Sequence, residues 1–166
     1  MDTNDDRDRS GVQHDPVEQE DDDETLLMQV IEKITGVQDF DINAVPDEHR
    51  NVVAVITAQA VIDNGGFRYF FESQFEGSSD YQMFVKAYKD VGAAESADAL
   101  NQALMMFPEG VPPAELEERQ KYLEAIFGSD NDASKQINDI EEKILGKVEN
   151  YSLVASYIRE NKNLFN

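Results

Sequence analysis

Three features of the sequence predict an all-α fold, a single compact domain of seven to eight helices. Apolar residues recur three and four positions apart through most of residues 25–166. No segment sustains the apolar/polar alternation of a strand. Prolines and glycines fall where helices prefer to start and stop.

The elements are taken in chain order. Residues 1–24 hold few apolar side chains and end in "EQEDDDE". Such a segment cannot bury enough surface to offset its ordering entropy, which predicts a disordered acidic tail. Next, Leu27, Val30, Ile31 and Ile34 share one helical face, with Asp22 or Asp23 as the expected cap and Gly36 as the stop. Pro46-Asp47-Glu48 suits the first turn of a second helix. Its stripe of Val52, Val55, Ile56, Gln59, Ala60 and Asp63 runs up to Asn64-Gly65. A short aromatic helix is expected over 67–75.

Ser78, Ser79 or Asp80 should cap the next helix, which lines up Tyr81, Phe84, Val85 and Tyr88 before Gly92. "AESADALNQALMMFP" is rich in helix formers and closes at Pro108. "PPAELEERQKYLEAIFG" opens on proline and closes on glycine. Two further helices are predicted, over about 131–145 and over 150–161. Their apolar faces are Ile137, Ile140, Ile144 and Leu145, then Leu153, Val154, Tyr157 and Ile158.

The stretch "DNGGFRYFFES" sets two glycines before a run of aromatics. Residues 67–88 hold Phe67, Tyr69, Phe70, Phe71, Phe75, Tyr81, Phe84 and Tyr88, enough large rings to dominate a core. Asn64 and Gly65 suit a helix end that needs a left-handed residue, and Gly66 permits close approach of the next helix. The alternative is a nest of backbone amides that binds an anion. The acidity of the chain opposes phosphate there, so the turn is read as structural.

Charge limits the function. Thirty-five Asp and Glu face fourteen Lys and Arg, a net −21. Residues 1–24 contribute −9 and residues 25–166 the other −12, so the acidity extends well past the tail. Such a field repels nucleic acid and anionic lipid and attracts basic proteins. No apolar run approaches the ~18 residues of a membrane span. The absence of cysteine excludes disulfides and thiolate chemistry and fits a reducing cytoplasm. Histidine occurs only at His14 and His49, leaving little for acid–base catalysis near neutral pH. No enzyme, cofactor or metal site is predicted.

The "NGGF" turn with its trailing aromatics (Asn64 to Phe71), the later "MMFPEGVPP" and "ERQKYL", and the closing "ASYIRENKNLF" resemble the bacterial DNA-mimic protein family. The similarity runs from about Val52 to Phe165. It implies an all-helical domain that forms a homodimer. It also implies an acidic face that occupies the DNA-binding surface of a helix-turn-helix transcription factor. An immunity or inhibitor protein directed at a basic toxin or nuclease would need the same charge without duplex-like spacing.

A DNA mimic must present carboxylates where phosphates would stand. Duplex DNA carries about one charge per 1.7 Å of axis, so −21 matches about 36 Å, roughly one helical turn. Glu115 with Arg119, Glu117 with Lys121, and Asp139 with Lys143 are spaced to neutralise each other along a helix. Glu118, Glu124, Asp130, Asp132, Glu141, Glu142 and Glu149 have no such neighbour, and with Glu72, Glu76 and Asp80 they are the expected phosphate imitators. "DNDASKQINDIE" (130–141) places oxygen-bearing residues at several positions of a calcium-binding loop, the basis of a weaker, calcium-binding alternative. It puts Lys135 where that loop needs glycine, and it also suits a helix start capped by Ser129 or Asp130.

Overall fold

The computed structural model describes residues 16–75 and 80–166. In chain order these form α1 (Pro16–Thr35), α2 (Asp47–Glu72), α3 (Gln82–Asp90), α4 (Ala94–Leu104) and a 3-10 turn at Pro108–Gly110. Then come α5 (Leu116–Phe127), α6 (Asp132–Glu141), α7 (Glu149–Glu160) and the short α8 (Lys162–Phe165). Among the described residues there is no strand, and the all-α expectation holds.

Helix α1 begins well before the expected boundary. Pro16 opens it, and the acids after it favour the positive end of a helix dipole, so low hydrophobicity does not prevent the helix. Asp22 and Asp23 are therefore interior residues and not caps. Arg159 of α7 binds both, at 3.0 and 2.7 Å. Of the predicted tail, residues 1–15 lie outside the described residues.

Helix α2 is the central element, packing against α1, α3, α5 and α7. It continues through the double glycine instead of stopping, but it bends there. Gly65 takes φ −157° and Gly66 takes φ +68°. The left-handed residue is thus Gly66, one position later than expected. A Cβ on Gly66 would lie 2.7 Å from Glu141 Cδ, and one on Gly65 would lie 2.6 Å from Tyr69 Cβ.

Beyond the bend, the aromatic half of α2 faces inward. Phe67, Phe70 and Phe71 are fully buried. Phe70 sits among Phe71, Phe75, Tyr81 and Phe84, with ring centroids 5.2–5.6 Å away, and Phe71 meets Phe107 edge-on at 4.9 Å. Tyr69 alone of the trio after Arg68 stays half exposed, because it lies on the outer face of α2. The other face of the core comes from α4–α7, through Leu100, Leu104, Leu123, Ile137, Ile144 and Val154.

A polar network crosses this core. Gln59 of α2 accepts hydrogen bonds from Tyr88 (2.9 Å) and Asn150 (2.8 Å), and donates to Asp63 (2.8 Å) and to the Ile144 carbonyl (3.0 Å). Asn150 also pairs with Ser96 of α4. Tyr151 donates to Asp63 at 3.1 Å. Buried amides and hydroxyls are costly unless all are satisfied, and here none of the described buried side-chain atoms lacks a partner. Burial and the nearby Asp63 carboxylate push the Tyr151 phenol up to about 12, and burial pushes Tyr88 higher still.

Both the bend and the buried tyrosines can be tested. Gly66→Ala and Gly146→Ala both force a side chain into positive φ, but nothing lies within 4 Å of a Cβ at 146. Gly146→Ala should cost about 1 kcal/mol of strain and Gly66→Ala at least about twice that, read from urea midpoints. For the tyrosines the readout is pH. Unfolded tyrosine ionises near pH 10, so the folded state holds protons that the unfolded state loses first. Stability from Tyr151 is full below pH 10 and is lost as pH rises from 10 to about 12. Tyr151→Phe should flatten this alkaline loss, tracked by melting temperature between pH 8 and 12.

Candidate functional site

Exposed acids stand along the arm formed by α5, α6 and the start of α7. Between Glu115 and Glu149 stand ten acids and five bases. Each helix begins with negative charge: Glu117 and Glu118 in α5, Asp132 in α6 and Glu149 in α7. These carboxylates stabilise the helix starts from which they project. α5 packs on α6 and on α2, while α6 packs on α4, so the arm is fixed to the core along its length.

The turn between α5 and α6 is built by Asn131. Its side chain accepts from Ser134 N–H at 2.9 Å, and the Ser134 hydroxyl accepts from Asn131 N–H at 3.1 Å, a reciprocal cap. Asn131, rather than Ser129 or Asp130, is therefore the cap. The helix that starts there fills Asp132–Glu141, where a calcium site would need a twelve-residue loop. Among the described residues no cluster of His, Asp or Glu is arranged to hold a metal.

The predicted phosphate imitators divide into groups. Glu118, Asp132, Glu142 and Glu149 are exposed and make no ion pair with any of the described residues. Glu72 and Glu124 are brought together by Arg68, which binds both. Arg68 lies four residues before Glu72, an i,i+4 spacing that the sequence expectation overlooked. Hydrogen bonds to Glu72 and then to Glu124 raise the Arg68 pKa, and the cation offsets one of the two charges. Asp130 stands 3.6 Å from Lys135. Asp80 accepts from Gln82 N–H at 2.9 Å, at the start of α3. Glu76 lies outside the described residues.

Glu141 is a correction. It is half-buried, and its Oε2 accepts the Phe67 N–H at 2.5 Å. The bend at Gly66 leaves that amide without a carbonyl one turn back, as at any helix start. The glycine turn does bind an anion, but the anion is the protein's own carboxylate. Glu141 is therefore committed to the core of the fold.

The predicted neutral pairs also change. Arg119 is buried and does not bind Glu115. Its guanidinium donates to the carbonyls of Phe71 (2.5 Å), Pro113 (2.6 Å) and Ala114 (3.1 Å), tying α5 to the end of α2. The signal was its place on the inward stripe with Leu123 and Ile126. Neither Glu117–Lys121 nor Asp139–Lys143 closes to an ion pair. Glu115, Glu117 and Asp139 are exposed and join the acidic arm.

The family model described as DMP19-like protein, a DNA-mimic family, matches residues 43–161. The chain belongs to that family. The matched region runs from just before α2 to the end of α7, and so contains the glycine bend, the polar network and the whole acidic arm. No curated protein and no solved structure gives a significant match. No described helix is long and apolar enough to cross a membrane.

Glu141 and Glu142 are adjacent acids with different tasks. Glu141→Ala strands a helix-start amide and should cost about 1–3 kcal/mol in urea unfolding, while Glu142→Ala should stay within about 0.5 kcal/mol. Equal effects would mean that the carboxylate at the bend does not support α2.

Proposed function

We propose that this chain is a DNA mimic in its own right, binding the DNA-reading surface of a basic protein and excluding DNA from it. The observation that carries the reading is the run of exposed carboxylates along α5–α7 that have no ion-pair partner among the described residues, Glu115, Glu117, Glu118, Asp132, Asp139, Glu142 and Glu149, in a member of a DNA-mimic family. Such acids can accept hydrogen bonds from the lysines and arginines that otherwise hold phosphates. The partner is a DNA-binding protein, in the first instance a helix-turn-helix transcription factor. The working unit is a homodimer acting in the cytoplasm, a reading that rests on family membership and on the lack of cysteine.

The test begins with capture of the partner from nuclease-treated lysate, and then competition with its DNA site. The two ligands should exclude each other, and affinity should fall steeply with salt. Glu118→Gln, Asp132→Asn, Glu142→Gln and Glu149→Gln together should leave the far-UV spectrum unchanged. They should slow association by about tenfold or more, since surface charge acts mainly on the encounter rate. A ternary complex of partner, DNA and this protein would remove mimicry and leave inhibition at another surface.

A further inference from the structure

An apolar groove of about 460 Å³ runs between α1 and α7. Leu27, Met28 and Ile31 of α1 form one wall, Ile56 of α2 the floor, and Val148 and Tyr151 the other wall. Met28 is 60% exposed and Val148 is 58% exposed, side chains that the core leaves in water. Methionine is flexible and polarizable, suited to accommodating an incoming apolar side chain. The rim is acidic. Glu24 borders the groove with an exposed carboxylate, Asp23 beside it is buried and bound by Arg159, and Glu149 comes directly after Val148. In the same helix, the segment Pro16–Glu24 holds six acids, two of which, Asp22 and Asp23, are bound by Arg159 of α7.

We propose that this groove receives an amphipathic basic helix of a protein partner. Its apolar residues would lie against Met28 and Val148, and its flanking lysines or arginines would lie beside Glu24 and Glu149. The groove is long enough for this. From Asp23 to Ile31 α1 rises about 12 Å, and anchors at i, i+4 and i+7 of a docked helix span about 10.5 Å. Charge selects the occupant. A second copy would bring another net −21 and its own Glu24 to this rim, whereas a cationic helix is drawn to it. The groove thus extends the reading that the partners are basic, but it does not need DNA and shares with the acidic arm Glu149 alone.

The probe is a synthetic leucine–lysine peptide about fourteen residues long with its leucines on one helical face. The control is the same composition permuted so that the leucines ring the helix. The full chain should bind the patterned peptide about tenfold more tightly by fluorescence anisotropy, because net charge is equal and only the apolar face differs. Met28→Asp combined with Val148→Asp should erase that preference while leaving helicity intact, since both side chains are exposed. Glu24→Gln should weaken both peptides. Equal affinity for the two peptides, or an unchanged preference in the double variant, overturns the proposal. So does sedimentation showing that the double variant turns a dimer into monomers, which would give the groove to a second copy. Peptide preference without DNA competition would remove mimicry and keep the groove, and competition without peptide preference would do the reverse.

Discussion

The bend in α2 opens a helix start in the middle of the molecule, and one segment of chain closes it. Glu141 accepts the Phe67 amide just after the bend, Asp63 accepts the Gly146 amide just before it, and Gln59 donates to the Ile144 carbonyl one turn earlier. Residues 141–146 are thus pinned to α2 at three points, all inside or beside the polar core. Each bond is worth about 1 kcal/mol net, and for the buried Gln59–Ile144 bond and the part-buried Glu141–Phe67 bond a stranded partner would cost more. The pinned segment sets where α6 ends and α7 begins. It therefore sets where Glu142 and Glu149 stand. The surface that the family membership makes interesting is positioned by hydrogen bonds that never reach it.

The helices were legible because their apolar stripes are strict and their ends carry proline, glycine or small polar residues. What misled was local charge. Asp22, Asp23 and the acids before them looked too polar to be ordered, yet a helix start favours negative charge and Arg159 meets two of them from α7. That partner is 137 residues away along the chain for Asp22, so no local window could contain it. Arg119 failed for a similar reason. Its i,i+4 neighbour Glu115 suggested a surface pair, while its stripe pointed to burial, and burial prevailed because Phe71, Pro113 and Ala114 offered carbonyls. Where spacing and stripe conflict, the stripe decides.

The candidate acids were half legible. Glu118, Asp132, Glu142 and Glu149 could be picked by counting neighbours on their own helices, since helix geometry is known from sequence. Glu124 and Asp130 could not, because Arg68 and Lys135 reach them by ways that counting along one helix does not trace. Glu141 shows the limit most clearly. It differs from Glu142 by one position, about 100° around the helix, and that rotation separates a carboxylate inside the fold from one in water.

The glycine stretch now has both of its meanings at once. It is a core turn, because Gly66 alone tolerates positive φ with Glu141 so close, and the rings of Phe67, Phe70 and Phe71 carry the next turns of α2 into the core. It is also an anion nest, filled from within. A chain of net −21 has every reason to keep external anions away, and it satisfies its own helix start with one of its carboxylates. This removes an acid that would otherwise add to the repulsion between like charges at the surface. The motif by which the family is recognisable is consequently a device for fastening the end of α6, through Glu141, to the bend of α2. The proposed binding chemistry would fall to the side chains that this device leaves outside, where position and charge matter more than identity, whereas at 66 a positive φ beside Glu141 favours glycine.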